Sequence, residues 1–411
     1  MSRILAYTSP ARGHLYPVTS ILDELRRRGH EILVRTLESE VPLALSRGFH
    51  AAPISPAIEV IQHDDWRAPN ARAALVHAMR TFTARARHEV PDLRQAIAEE
   101  HPDALLIDIN CWGALAAAEA WGGQWSTFCP YPLPLSSPDA PPFGPGLRPA
   151  RGPLGRMRDR LMRPMVTGVF ERAMLPPLNL VRRELGLAPF VHADEMFRRP
   201  QLLIYMTAEP FEYPRHDWPS NIVMVGPCEW EPPSEVPAWL EAIKEPIVLV
   251  TTSSEFQNDG RLVEVALEAL AVEPFAIVAT LPAGDPTHLR IPANARVERF
   301  VPHGLLLDRA VCAVTHAGMG ATQKALSRGV PVCAVPFGRD QLEVARRVEV
   351  ANAGTRLPAK RLNPDRLRQK VREAMTKAAG AARIAAAFKA AGGPVAAADL
   401  FESRLLAANK T

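Results

Sequence analysis

Cysteine is scarce in this chain. The five cysteines among 411 residues (Cys111, Cys129, Cys228, Cys312, Cys333) show no C-x-x-C spacing. That excludes a zinc ribbon and a disulfide scaffold, and their apolar surroundings read as a reduced, intracellular core. Charge of one sign is equally lacking. A net charge of +4 with 6% aromatics offers neither the basic field nor the stacking platform of a nucleic-acid binder. No run approaches the ~18 apolar residues of a membrane span. No secretory h-region precedes the first strand, so no transmembrane segment and a cytoplasmic location are expected. The first strand is not followed by G-x-G-x-x-G, which argues against a nicotinamide oxidoreductase, and no Walker lysine follows any glycine-rich turn.

What is present suits a two-domain α/β enzyme. A chain of 411 residues with 47% hydrophobic and 22% charged content can bury two separate cores. The organising stretch runs from Cys312 to Gln341. Val311, Cys312, Ala313 and Val314 read as a buried parallel strand. Thr315, His316, Ala317, Gly318, Met319 and Gly320 form a turn, and Ala321 to Arg328 a helix that Gly329 stops as a C′ residue. Val330 to Val335 is the next strand, and Pro336 to Gln341 a polar loop at the same carboxyl edge of the sheet. A glycine-rich turn that opens a helix points backbone N–H groups and the positive end of the dipole at one place, which suits a phosphate.

These residues resemble the donor-binding signature of the UDP-glycosyltransferase family of GT-B fold, T-H-G/A-G-x-G-S/T, then G-V-P, then P and D/E-Q. The matches are Thr315, His316, Ala317, Gly318, Gly320, Ala321, Thr322, Gly329, Val330, Pro331, Pro336, Asp340 and Gln341. Gly13, His14 and Pro17 match the family's G-H-x-x-P after its first strand. The resemblance implies two Rossmann-like β/α/β domains facing each other across a cleft. It implies His14 as general base, with Asp108 at the end of the strand Ala104 to Ile107 as its partner. Asp103 precedes that strand and belongs at its far end. An imidazole near pKa ~6.5 suits the role. His316 and the N–H groups of Gly318, Met319, Gly320, Ala321 and Thr322 would hold the diphosphate. Asp340 and Gln341 would hold sugar hydroxyls, whose number suits glucose. Phe300, Val301 and His303, with Leu305 to Leu307, resemble the W-x-P-Q/H…LL element that holds the base, with Phe300 in place of tryptophan. The loop Thr252 to Phe256 departs from the family's S-L-G-S/T, so a phosphate contact falls to Ser253 or Ser254. No D-x-D pair occurs, against the metal-dependent glycosyltransferase architecture; no metal and no cofactor are expected beyond a UDP- or TDP-sugar co-substrate.

The remaining chain fills this frame. Ile4 to Thr8 is a strand, Ser9 to His14 a loop, Leu15 to Arg28 an amphipathic helix and Glu31 to Arg35 a strand. Ala73 to Glu100 reads as a helix broken at Pro91. Nine prolines between Pro130 and Pro153 make a stiff loop suited to an acceptor wall. A basic amphipathic stretch from Arg156 to Met165 reads as a solvated helix beside the acceptor mouth rather than a membrane-surface helix. Later strands fall at Pro246 to Thr251, Phe275 to Thr280 and Val297 to Phe300. Domain limits follow at 1–224, a linker at 225–238, a nucleotide-sugar domain at 239–390 and a returning helix at 391–411. The expected reaction is inverting transfer of a hexose, UDP-glucose first and a TDP-sugar second, to a hydroxyl of a lipophilic small molecule, by a monomer or homodimer. The rivals are a catalytically silent partner protein and a nucleotide-sugar 2-epimerase.

Overall fold

The computed structural model describes residues 1–407; the last four residues of the returning helix expected at 391–411 lie outside it. Seven strands form the first sheet: β1 (Arg3–Tyr7), β2 (Glu31–Thr36), β3 (His50–Pro53), β4 (Ala104–Asp108), β5 (Gln124–Cys129), β6 (Leu202–Tyr205) and β7 (Ile222–Met224). Six form the second: β8 (Ile247–Thr251), β9 (Ala276–Thr280), β10 (Ala295–Glu298), β11 (Ala310–Thr315), β12 (Val332–Ala334) and β13 (Gly354–Arg356). All pairings are parallel, in the orders β3-β2-β1-β4-β5-β6-β7 and β10-β9-β8-β11-β12-β13. Helices cover both faces, so successive residues of one strand enter different cores. Leu5 and Tyr7 join one cluster, Ile4 and Ala6 the other. Near-continuous apolar strands follow from that double burial.

Strand order reverses between β1 and β4 in the first sheet and between β8 and β11 in the second. Such switch points open a crevice at the carboxyl ends of the strands. Tyr7 pairs with Ile107 and Thr251 with Thr315, so the loops that follow β1, β4, β8 and β11 leave from two crevices that line one cleft. Asp103 lies at the opposite edge, where it accepts the Arg3 N–H.

Several elements differ from expectation. The first helix is Arg12–Arg27, which moves Gly13 and His14 from a loop into its first turn. Pro91 does not break the long helix Ala71–Glu100. Pro91 and Arg87, whose carbonyl loses its partner, are both on the exposed side, and Ala86, Leu93 and Ala96 bury the other. The helix of the central motif is Met319–Ser327, and β10 ends at Glu298, which leaves Phe300 in the following loop.

The expectation that no segment has the length and apolarity of a span is also corrected: Ala378–Leu406 meets both criteria. Packing accounts for its composition. Ile384 and Phe388 enter a core of the second sheet, while Ala398, Phe401 and Leu405 enter a core of the first. Gly392 and Gly393, at φ 89° and 58°, turn the chain between the two. Arg28 fixes the arrival through Asp399 at 2.6 Å and Glu402 at 2.7 Å.

Candidate active site in the cleft

A cleft of about 1350 Å³ runs between the two sheets and is lined by loops of both. On its first-sheet side, β1 and the helix that follows carry His14. Its Nδ1 lies 2.9 Å from Asp108 Oδ1. Asp108 is fully buried and accepts three further bonds: the Ser9 N–H at 3.0 Å, the Ser9 hydroxyl at 2.5 Å and the Asn110 N–H at 3.0 Å. A carboxylate so solvated by donors stays ionised in spite of burial. Burial raises its pKa, but His14 and these donors more than reverse that and hold it below the ordinary carboxylate value. Burial of His14 disfavours the imidazolium. The facing Asp108 outweighs it, aided through space by Glu255 and Asp340 of the second-sheet side, so the pKa of His14 is raised.

The other ring nitrogen is placed by residues that the sequence reading passed over. Asn110 Nδ2 lies 3.3 Å from His14 Nε2, and Asn110 Oδ1 takes the Tyr131 hydroxyl at 2.8 Å. With Nδ1–H committed to Asp108, Nε2 carries the lone pair. The Tyr131 ring stands 5.6 Å from the imidazole. Ser9, Asn110 and Tyr131 all follow strand carboxyl ends, the one signal that marks them.

Across the cleft, His316 directly follows β11. Its Nδ1 faces the Thr251 carbonyl at 3.5 Å. Burial lowers its pKa, with Arg339 adding to the effect and Asp259 opposing it, so the ring is neutral. Nε2 lies over Gly318, where a Cβ would come within 2.3 Å of it. Here glycine is required for space. Ala317 takes φ 67°, a left-handed conformation that costs a Cβ-bearing residue of order 1 kcal/mol; its N–H is held by Thr315 Oγ1 at 3.0 Å. The turn delivers the helix Met319–Ser327 with its first intrahelical bond at Thr322 N–H to the Gly318 carbonyl, 3.0 Å. The N–H groups of Met319, Gly320 and Ala321 are therefore free of helix partners. The Thr322 hydroxyl is buried with no hydrogen-bond partner.

The other expected donor residues divide into free and engaged. Ser254 is exposed. Ser253 is buried, its N–H on Asp259 at 2.7 Å and its oxygen accepting from Gln257 at 2.7 Å. Asp340 lines the cleft, and burial raises its pKa. Gln341 is tied down: its oxygen accepts the Phe337 and Gly338 N–H groups at 2.7 and 3.0 Å, and its amide donates to Gln257 at 2.6 Å. That leaves it one N–H to offer. Phe300 is 55% exposed beside buried Val301. His303 Nε2 meets the Thr280 hydroxyl at 3.1 Å, and burial with nearby Lys324 lowers its pKa to about 4. Glu231, unsuspected from sequence, accepts the His303 and Gly304 N–H groups and pairs with Lys324 at 2.8 Å.

The chain has clear relatives. Residues 264–402 match the family described as Erythromycin biosynthesis protein CIII-like, C-terminal domain. A 4'-demethylrebeccamycin synthase of Lentzea aerocolonigenes is 31% identical over 423 aligned residues, which cover 98% of this chain and 99% of the relative. The glycotransferase of kitacinnamycin superposes with a TM-score of 0.76 at 24% identity, over 98% of this chain and 99% of the other. The glycosyltransferase VinC, solved in complex with DTDP, superposes with a TM-score of 0.75 at 20% identity, over 98% and 100%. Full-length identity of this order, on two parallel α/β domains with the G-H-x-x-P and T-H-A-G-x-G motifs at their switch points, places the chain among the natural-product glycosyltransferases of GT-B fold.

Proposed function

We propose that the protein transfers a hexose from a UDP- or TDP-sugar to a hydroxyl of a lipophilic small molecule with inversion at the anomeric carbon. The observation that carries this reading is the His14–Asp108 pair. Its Nε2, which carries the lone pair and meets only the Asn110 amide at 3.3 Å, belongs to a ring that lines the same cleft as the start of the helix Met319–Ser327. In the reaction, the acceptor hydroxyl attacks the anomeric carbon from the face opposite the diphosphate, and its proton passes to His14 Nε2. Asp108 stabilises the resulting imidazolium. The bond to the diphosphate breaks as the new C–O bond forms, and the leaving oxygens gain charge. The N–H groups of Met319 to Ala321 and the Thr322 hydroxyl offer that charge fixed dipoles, and His316 adds a donor once the bound diphosphate draws a proton onto Nε2. This set needs no cation to complete it.

Asp340 binds sugar hydroxyls through its carboxyl oxygens; Gln341 adds its one remaining N–H. The exposed face of Phe300 stacks on a pyrimidine. VinC was solved with a thymidine nucleotide, which supports TDP alongside UDP. On the acceptor side, Phe82, Trp112, Phe143 and Met165 line the cleft and favour an apolar molecule.

A pH profile tests the base. His14 works unprotonated, and its pKa is raised, chiefly by Asp108 against the opposing effect of burial. With UDP- or TDP-glucose and a phenolic acceptor that the enzyme accepts, kcat/KM is therefore expected to rise with pH through a midpoint above ~6.5 and then level off. A profile flat from pH 5 to 8 would remove His14 from the role. Inversion is read separately, from the anomeric configuration of the product.

A further inference from the structure

One buried cation in the cleft has no ion pair among the described residues. Arg85, on the helix Ala71–Glu100, is only 3% exposed, yet its side chain lines the cleft. Its Nε donates to the Ile61 carbonyl at 2.9 Å, and Nη2 to the same oxygen. Among the described residues Nη1 has no hydrogen-bond partner, and no carboxylate comes within ion-pair distance. The other cleft arginines near the chemistry are paired: Arg12 with Glu40, and Arg339 with Asp65 and Glu255. The acid one turn on along the same helix, Glu89, acts on Arg85 through space but makes no ion pair with it. It is fully buried, accepts the Gly113 N–H at 2.7 Å, and is pushed up to about 8 chiefly by burial, hence largely neutral at pH 7.

A guanidinium remains protonated in proteins, and burying it without an anion is costly. Phe82 and Trp112, with ring centroids 5.2 Å apart, line the same cleft and offer it no anion. Burial lowers its pKa against the through-space pull of Glu89, and Glu255 and Asp108 of the site also act on it, as expected for a group close to the chemistry. We propose that Arg85 is the polar anchor of the acceptor subsite, and that the acceptor presents to it an anionic oxygen, a carboxylate or an acidic phenol, on an otherwise apolar frame. This rests on the reading of the first-sheet wall as the acceptor side. Arg85 then fixes which hydroxyl of the acceptor reaches His14.

The test uses anthracene-2-carboxylate and its methyl ester, followed by fluorescence on the full chain saturated with TDP or UDP. Charge-assisted bonds of this kind predict that the wild type binds the acid about 10- to 100-fold more tightly than the ester. Arg85→Met is expected to erase the preference while nucleotide affinity, which reports a folded cleft, stays unchanged; Arg85→Lys keeps part of it. Equal binding of acid and ester by the wild type, an undiminished preference in Arg85→Met, or displacement of the acid by the nucleotide would each overturn the proposal. A wild type that binds neither nucleotide would instead refute the transferase reading. The acid-to-ester ratio in wild type and Arg85→Met would still decide the role of Arg85.

Discussion

Alanine in place of His14 is expected to lower turnover by about 10²–10⁴-fold, the usual contribution of a positioned general base, or about 3–5 kcal/mol of transition-state stabilisation. Affinity for the nucleotide is expected to stay near wild type, because the diphosphate seat lies on the opposite wall of the cleft. The split matters more than the size. His14 meets Asp108, Asn110 and Tyr131, all on the first-sheet side, so its removal leaves the turn at Gly318 untouched. Asp108 would then be buried without its imidazole partner, and a modest loss of stability should accompany the loss of rate. Turnover within a few-fold of wild type would show that another group takes the proton.

Arg347→Ala is expected to cost roughly 3–5 kcal/mol of stability, in the range measured when one member of a buried ion pair is deleted. Arg347 is 2% exposed and Glu212 fully buried. The guanidinium grips Glu212 through Nη2 at 2.8 Å and Nε at 3.1 Å, and reaches Glu343 Oε2 at 3.0 Å. Its plane covers Tyr213 at 4.3 Å. Glu212 lies between β6 and β7 of the first sheet, while Arg347 and Glu343 belong to the helix Gln341–Val350 of the second, so the pair ties the two halves together. Glu343 extends the tie by accepting the Gly144 and Gly146 N–H groups, both at 2.8 Å, from the proline-rich wall. Because that helix begins at Gln341, beside Asp340, a rise in KM for the sugar nucleotide should accompany the loss. Urea unfolding of both proteins gives the stability difference, and an unchanged midpoint and slope would mean that water or relaxation replaces the pair.

What could be read from the sequence was what short spacing encodes. Cys312 to Gln341 holds strand, turn, helix, strand and loop in one contiguous run, and Gly13-His14 sits one turn from a recognisable strand. Asp108 could be found because a strand's carboxyl end is a position as well as a residue. The failures share a cause, contacts between residues far apart in the chain. Glu212 and Arg347 are 135 residues apart, and nothing local marks either one. Gln341 looked like a free sugar ligand, but two N–H groups of its own loop and Gln257 occupy most of its amide. Pro91 looked like a helix break, although tertiary burial of the opposite face outweighs one missing hydrogen bond. Arg85 stands in a helix rich in arginine, and only burial singles it out. The apolarity of Ala378–Leu406 likewise records two cores that the chain meets one after the other.

Calorimetric titration of the purified protein with UDP, TDP and NAD tests the central claim most directly, that a pyrimidine nucleoside diphosphate sits between His14 and the helix Met319–Ser327. The account predicts one site per chain for UDP or TDP, none for NAD, and loss of the site in Gly318→Ala, whose added Cβ meets the His316 ring. Binding of NAD alone, or pyrimidine-diphosphate binding that Gly318→Ala leaves untouched, would contradict it.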